Sequence, residues 1–234
     1  MRNKIIYLLA IVLGIAGTAC QQNGAVKSVK LETAADSASY AIGLLVGANN
    51  KQQLESAPGG DKMNLETMSA AFRASALGEE ALMTEEEANA VVQSYFESAN
   101  SREAQENLEE GNAFLEQNKS RDGIHVTDSG LQYEVITEGT GEKPSADDQV
   151  RVHYHGTLMD GTVFDSSVER GEPAVFGVGQ VIPGWTEALQ LMPVGSKWKI
   201  YLPADLAYGE RSPGGEIGSN EMLTFEVELL EIVE

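Results

Sequence analysis

Three short segments of this 234-residue chain carry side chains that could do chemistry together: Val163-Phe164-Asp165-Ser166-Ser167, Val181-Ile182-Pro183-Gly184-Trp185 and Leu206-Ala207-Tyr208-Gly209. They supply one carboxylate, one phenol and one indole among apolar residues. Ser166 and Ser167 lack a Gly-x-Ser-x-Gly setting and a positioned base, so neither is expected to be a nucleophile. His153 and His155 alternate with Val152 and Tyr154, which puts both imidazoles on the solvent side of a strand. With no third ligand nearby in sequence they read as surface histidines, and no metal site is expected. The remaining groups suit holding a peptide better than breaking one.

Rotation about the bond preceding a proline is a reaction that such groups can serve. Uncatalysed, it crosses roughly 18–20 kcal/mol because the peptide C–N bond has double-bond character. A catalyst needs no covalent step and no cofactor. It must seat the pyrrolidine ring in a fitted apolar pocket, strip water from the amide and bind the twisted form better than either planar one.

The elements that would position these groups are legible from periodicity. Val150, Val152 and Tyr154, then Trp198, Ile200 and Leu202, then Leu223, Phe225, Val227 and Leu229 alternate with polar residues, as half-buried antiparallel strands do. In this half only residues 184–192 suit a short helix, with Trp185, Ala188, Leu189 and Met192 on one side. A curved antiparallel sheet wrapped on one helix follows.

The first half reads as helices. One is expected from residue 36 or 37 to 54, with Tyr40, Leu44 and Ala48 at helical spacing, then a turn at Pro58-Gly59-Gly60. Asn64 is the expected cap of a second helix that carries Leu65, Met68 and Phe72 inward and ends at Gly78. Thr84 and Glu87 have capping-box spacing and open a third helix of about 34 residues, roughly 50 Å long at 1.5 Å per residue. Its middle, residues 101–107, is almost wholly polar, and a helix solvated there must bridge two bodies. Large apolar residues are few in this half, which favours pairing with a second copy over a small autonomous helical domain.

A formal charge of −20 makes nucleic acid and anionic membrane surfaces poor partners. At the start, Arg2 and Lys4 precede an apolar run over residues 5–15, too short to span a membrane, and then Gly17-Thr18-Ala19-Cys20. This resembles a bacterial lipobox. Cys20 is the single cysteine, which suits a lipid attachment point and excludes a disulfide within the chain; a plain secretory signal is the other reading. Residues 20–30 read as a flexible tether. Gln21 and Gln22 offer no acidic inner-membrane retention signal, so the periplasmic face of a Gram-negative-type outer membrane is expected.

Several spaced segments in order, Val152-His153-Tyr154-His155-Gly156, Phe164-Asp165, Val181 to Trp185, Leu206 to Gly209 and the closing Leu223-Thr224-Phe225-Glu226-Val227, resemble the FKBP family of peptidyl-prolyl isomerases. Ser39-Tyr40-Ala41-Ile42-Gly43 and the run Gly111 to Asn118 resemble the helical dimerisation module of the macrophage infectivity potentiator and FkpA-like envelope isomerases. The resemblance implies an α+β chain: a signal over residues 1–19, the tether, a helical dimerisation domain over 31–83, a long connecting helix over 84–119 and an isomerase domain over 123–234. It implies catalytic roles for Asp165, Tyr208, Trp185, Tyr154 and the Ile182 N–H, and pocket walls from Phe164, Phe176, Val181, Ile217 and Phe225. From pattern alone Trp185 also reads as core filling, and Asp165 as a turn cap. Expected partners are proline-containing, partly folded polypeptides bound for turnover or merely clamped, a second copy of the chain, the membrane through the lipid, and macrolide inhibitors. Pro213 and Glu216 depart from the drug-binding members in the loop above the pocket.

Overall fold

The computed structural model describes residues 29–233, so the expected leader, Cys20 and nearly all of the tether lie outside the described residues. Of the described residues, those up to Gln52 form one compact unit and those from Gln53 onward a second. Helix α1 (Ala34–Glu55) starts where Thr33 and Asp36 exchange side-chain and backbone hydrogen bonds, and none of its residues is buried.

In the second unit, Asn64 caps α2 (Leu65–Leu77) by accepting from the Glu66 and Thr67 N–H groups, and Gly78 ends it in the left-handed region that glycine tolerates. The inward placement expected of Leu65, Met68 and Phe72 is not what forms: all three are exposed. The period is right, but among the described residues that face stays exposed. Helix α3 (Glu85–Asn118) opens on the Thr84/Glu87 capping box and runs 34 residues. Its polar middle is not the bare bridge that composition suggested. Ala104, Asn107, Gly111, Leu115 and Asn118 recur at helical spacing and form one stripe against the sheet domain, through small residues and amides. Leu115 packs with the buried Tyr201 and Met222, and Asn118 donates to Gln132 at 2.9 Å.

Strands β1 (Ile124–Val126), β2 (Gln132–Thr137), β3 (Gln149–Thr157), β4 (Val163–Ser166), β5 (Ala174–Gly177), β6 (Lys197–Leu202) and β7 (Leu223–Val233) make one antiparallel sheet of order β1-β2-β6-β7-β3-β4. β5 also pairs with β3, opposite Gln149 to Val152, end to end with β4, which pairs from His155 to Thr157. The covered face packs on α5 (Pro183–Leu191), whose Trp185, Ala188 and Leu189 are buried with Val150, Val152, Ile200, Leu202 and Val227. Each buried Val, Leu or Ile among them contributes roughly 1.5–3 kcal/mol. Tyr201 breaks the expected alternation in β6 because α3 covers the opposite face there. A second short helix, α4 (Ser167–Arg170), also forms in this half, where periodicity predicts only α5.

Candidate functional site

Nine segments converge on one cavity of about 600 Å³ above α5, lined by Tyr154, Phe164, Asp165, Phe176, Gln180, Val181, Ile182, Trp185, Tyr208, Pro213, Gly214, Ile217 and Phe225. All ten residues singled out for catalysis or walls are among them. Trp185 sits in the first turn of α5, 4% exposed, held there because Pro183 starts the helix and Gly184 leaves no side chain against Leu202. The rings of Tyr154, Phe176 and Phe225 stand at 87°, 83° and 85° to the indole, with centroids 5.4, 5.8 and 5.2 Å away. Phe164 meets Phe225 edge to face at 5.4 Å. The arrangement is a flat floor with perpendicular aromatic walls. Gly156 makes it possible: a Cβ there would lie 2.7 Å from the Phe164 ring and 2.9 Å from Phe225.

The polar edge is built on Asp165. Tyr154 donates its hydroxyl to Asp165 Oδ2 at 2.5 Å, Arg170 Nη1 pairs with Oδ1, and Arg170 Nη2 donates to the Tyr154 oxygen at 2.8 Å. Asp165 lies in β4 and does not cap the turn; Ser166 does, by accepting from the Glu169 N–H. Partial burial by itself would raise the Asp165 carboxyl, but the hydrogen bonds from Tyr154 and Arg170 outweigh it and hold the group below its ordinary range. Burial, then the neighbouring carboxylate, pushes the Tyr154 hydroxyl up. At neutral pH the edge therefore presents a fixed carboxylate and a neutral phenol.

Arg170 is a site residue that sequence reasoning missed. Its signal was local: a serine cap at Ser166 and Gly171 in the left-handed region bracket one helical turn that returns the guanidinium to β4. Gln180 and Gly214 were missed as lining residues too. Among the described residues, the Tyr208 hydroxyl and the Ile182 N–H donate to no protein acceptor, so both donors are available in the cavity. His153 and His155 lie on the other face of β3, bonded to Ser167 and Ser166 at 3.1 and 3.0 Å. Among the described residues no three His, Cys, Asp or Glu side chains gather as metal ligands do.

Known proteins resemble this chain over both of its halves. Residues 140–230 match the model of the FKBP-type peptidyl-prolyl cis-trans isomerase, and residues 35–135 that of the domain amino terminal to it. The outer membrane protein MIP of Legionella longbeachae is 43% identical over 98% of each chain. The chain belongs to the FKBP-type peptidyl-prolyl cis-trans isomerases. The FkpA isomerase of Aeromonas hydrophila is 42% identical over 96% of this isomerase and 92% of its own length. The crystal structure of FkpA from Escherichia coli superposes with a TM-score of 0.67 at 31% identity, covering 87% of this chain and 98% of that one. The fold is thus α+β, helices followed by a curved antiparallel sheet on a short helix, and the activity is rotation of Xaa-Pro bonds.

Proposed function

We propose that the isomerase seats the proline ring on Trp185, between Phe164, Phe176, Val181, Ile217 and Phe225, with Asp165 and Tyr154 beside the rotating amide. The supporting observation is the perpendicular aromatic enclosure over a nearly buried indole, with two free donors nearby. The Tyr208 hydroxyl and the Ile182 N–H hold carbonyls on either side of the proline, so the chain is anchored while the intervening bond turns. The cavity excludes water from the amide, which weakens its resonance, and the Asp165 carboxylate, fixed by Arg170, opposes the polarised planar form. No proton moves and no covalent bond forms. Preorganised donors of this kind are worth ~2.7–4 kcal/mol each when fully engaged in a dry site; these partly exposed ones contribute less. Titrating a prolyl tetrapeptide while following the Ile182 amide and Trp185 indole resonances tests the assignment. Both should shift; perturbation confined to residues elsewhere would refute it.

The same reading extends to the rest of the chain. Residues 31–83 act as a dimerisation domain, 84–119 as the connecting helix and 123–234 as the isomerase domain. The dimer is supported by the exposed apolar residues Ile42, Leu44 and Leu45 on α1, Met68 and Phe72 on α2, and Val91 and Val92 on α3, which a second copy would cover. Two pockets in one dimer hold a partly folded client by effective concentration, which adds a chaperone function. Acylated Cys20 anchors the protein in the outer membrane, facing the periplasm; the composition of residues 2–20 and the name of the Legionella relative support this. Macrolides are expected to compete for the pocket.

A further inference from the structure

The loop over the cavity, residues 209–220, supplies Pro213, Gly214 and Ile217 to its lining and begins beside Tyr208. Within itself it is tied by Ser212, whose hydroxyl bonds the Ile217 carbonyl and accepts from the Gly214 N–H at 3.0 Å. Its neck closes where the Asn220 N–H donates to the Gly209 carbonyl at 2.7 Å. Asn220 has φ of 57°, the only positive value at a non-glycine among the described residues. Asparagine is among the few residues that tolerate that region.

The returning side of this neck, Ser219 and Asn220, is held by α3. The Asn220 side-chain amide donates to the Ala104 carbonyl at 3.2 Å, and the Asn107 amide donates back to the Ser219 carbonyl at 3.0 Å. One turn further on, Gly111 lets the helix approach Met222, whose Cβ would lie 3.0 Å from any Cβ at that position. These contacts stand outside the cavity, and neither asparagine lines it. Two reciprocal side-chain to backbone bonds at the neck of an active-site loop restrain it where it would otherwise pivot.

We propose that Asn107 and Asn220 are positioning residues, through which the connecting helix holds the 209–220 loop in its substrate-binding conformation. The inference rests on the reading of Tyr208 and this loop as part of the site. A loop released from α3 must be ordered anew by each bound peptide, which weakens binding of the planar and twisted amide alike. Such a loss raises KM and leaves kcat in place.

The test uses the full chain carrying Asn107→Ala with Asn220→Gly; glycine keeps the left-handed backbone and removes only the side-chain bond. On a prolyl tetrapeptide KM should rise about 5-fold or more with kcat within twofold. Amide order parameters should fall at Gly214 and Ile217 while the Trp185 indole resonance stays in place. Asn107→Asp, the same size without the donor, should reproduce the Asn107→Ala effect. A wild-type KM in the double variant overturns the proposal. So does a loss carried by kcat together with a displaced Trp185 resonance, since that signals general disturbance. Tyr208→Phe run in parallel separates this from the site assignment: if that change alone is silent, the role of Tyr208 fails, while the KM of the double variant still decides the role of α3.

Discussion

Replacing Arg170 with alanine should lower kcat/KM about 5-fold and move the acid limb of its pH profile upward. The guanidinium makes an ion pair with Asp165 and a 2.8 Å bond to the Tyr154 hydroxyl. Its side chain and that of Asp165 are 46% and 45% exposed, so solvent screening keeps the pair weak. The bond to Tyr154 adds a second polar contact, and losing both from a solvent-screened edge should cost about 5-fold. The direction in pH follows from the sign of the shift. Asp165 is held below its ordinary range when folded. Its ionised form is therefore fully favoured above the unfolded value of about 3.9 and lost as pH falls through the lower folded value. Without Arg170 the folded value moves back up, and activity falls off at higher pH. Two-dimensional exchange NMR on a prolyl tetrapeptide between pH 3 and 7 reads both effects without a coupling protease. An unchanged rate and acid limb would show Arg170 to be a spectator; a loss beyond 100-fold would show that it does more than orient Asp165.

Other outcomes follow from the packing and the leader. The chain lacking its first 20 residues should scatter light as a dimer, and one starting at residue 123 as a monomer. That shorter chain uncovers Tyr201 and Met222 and leaves Gln132 without Asn118. It should therefore be about 2–4 kcal/mol less stable to urea than a chain starting at residue 100. Gly156→Ala places a methyl against the Phe164 and Phe225 rings, so it should cost about 1–3 kcal/mol and raise KM, as urea titration and turnover assays would reveal. Cys20→Ser should leave the protein without lipid in an intact-mass measurement; an unmodified Cys20 in the wild-type protein would contradict the anchor.

What the sequence discloses here depends on whether a contact is apolar and periodic. Strand alternation located Val152, Tyr154, Phe225 and Val227 and hence the covered face, and short motifs located Asp165, Trp185 and Tyr208. Arg170 escaped because α4 is four residues long, too short to show a period. The stripe from Ala104 to Asn118 escaped because it holds the sheet domain through amides and a close glycine approach, which hydrophobic periodicity does not register. For Leu65, Met68 and Phe72 the pattern reported that a face was apolar, but pattern alone does not say what covers it. The burial of Tyr201 departs from the alternation for the same reason in reverse, since only the fold shows that α3 covers the second face of β6.

The central claim is that catalysis is apolar seating on Trp185 with fixed dipoles at the edge. Its most direct test is kcat/KM on one prolyl tetrapeptide for Trp185→Ala, Asp165→Ala and Tyr208→Phe, each verified as folded by circular dichroism. Trp185→Ala should lose most, and Tyr208→Phe should lose about 0.5–1.5 kcal/mol, roughly 2- to 13-fold. A folded Trp185→Ala/Asp165→Ala double variant with wild-type turnover would contradict the account.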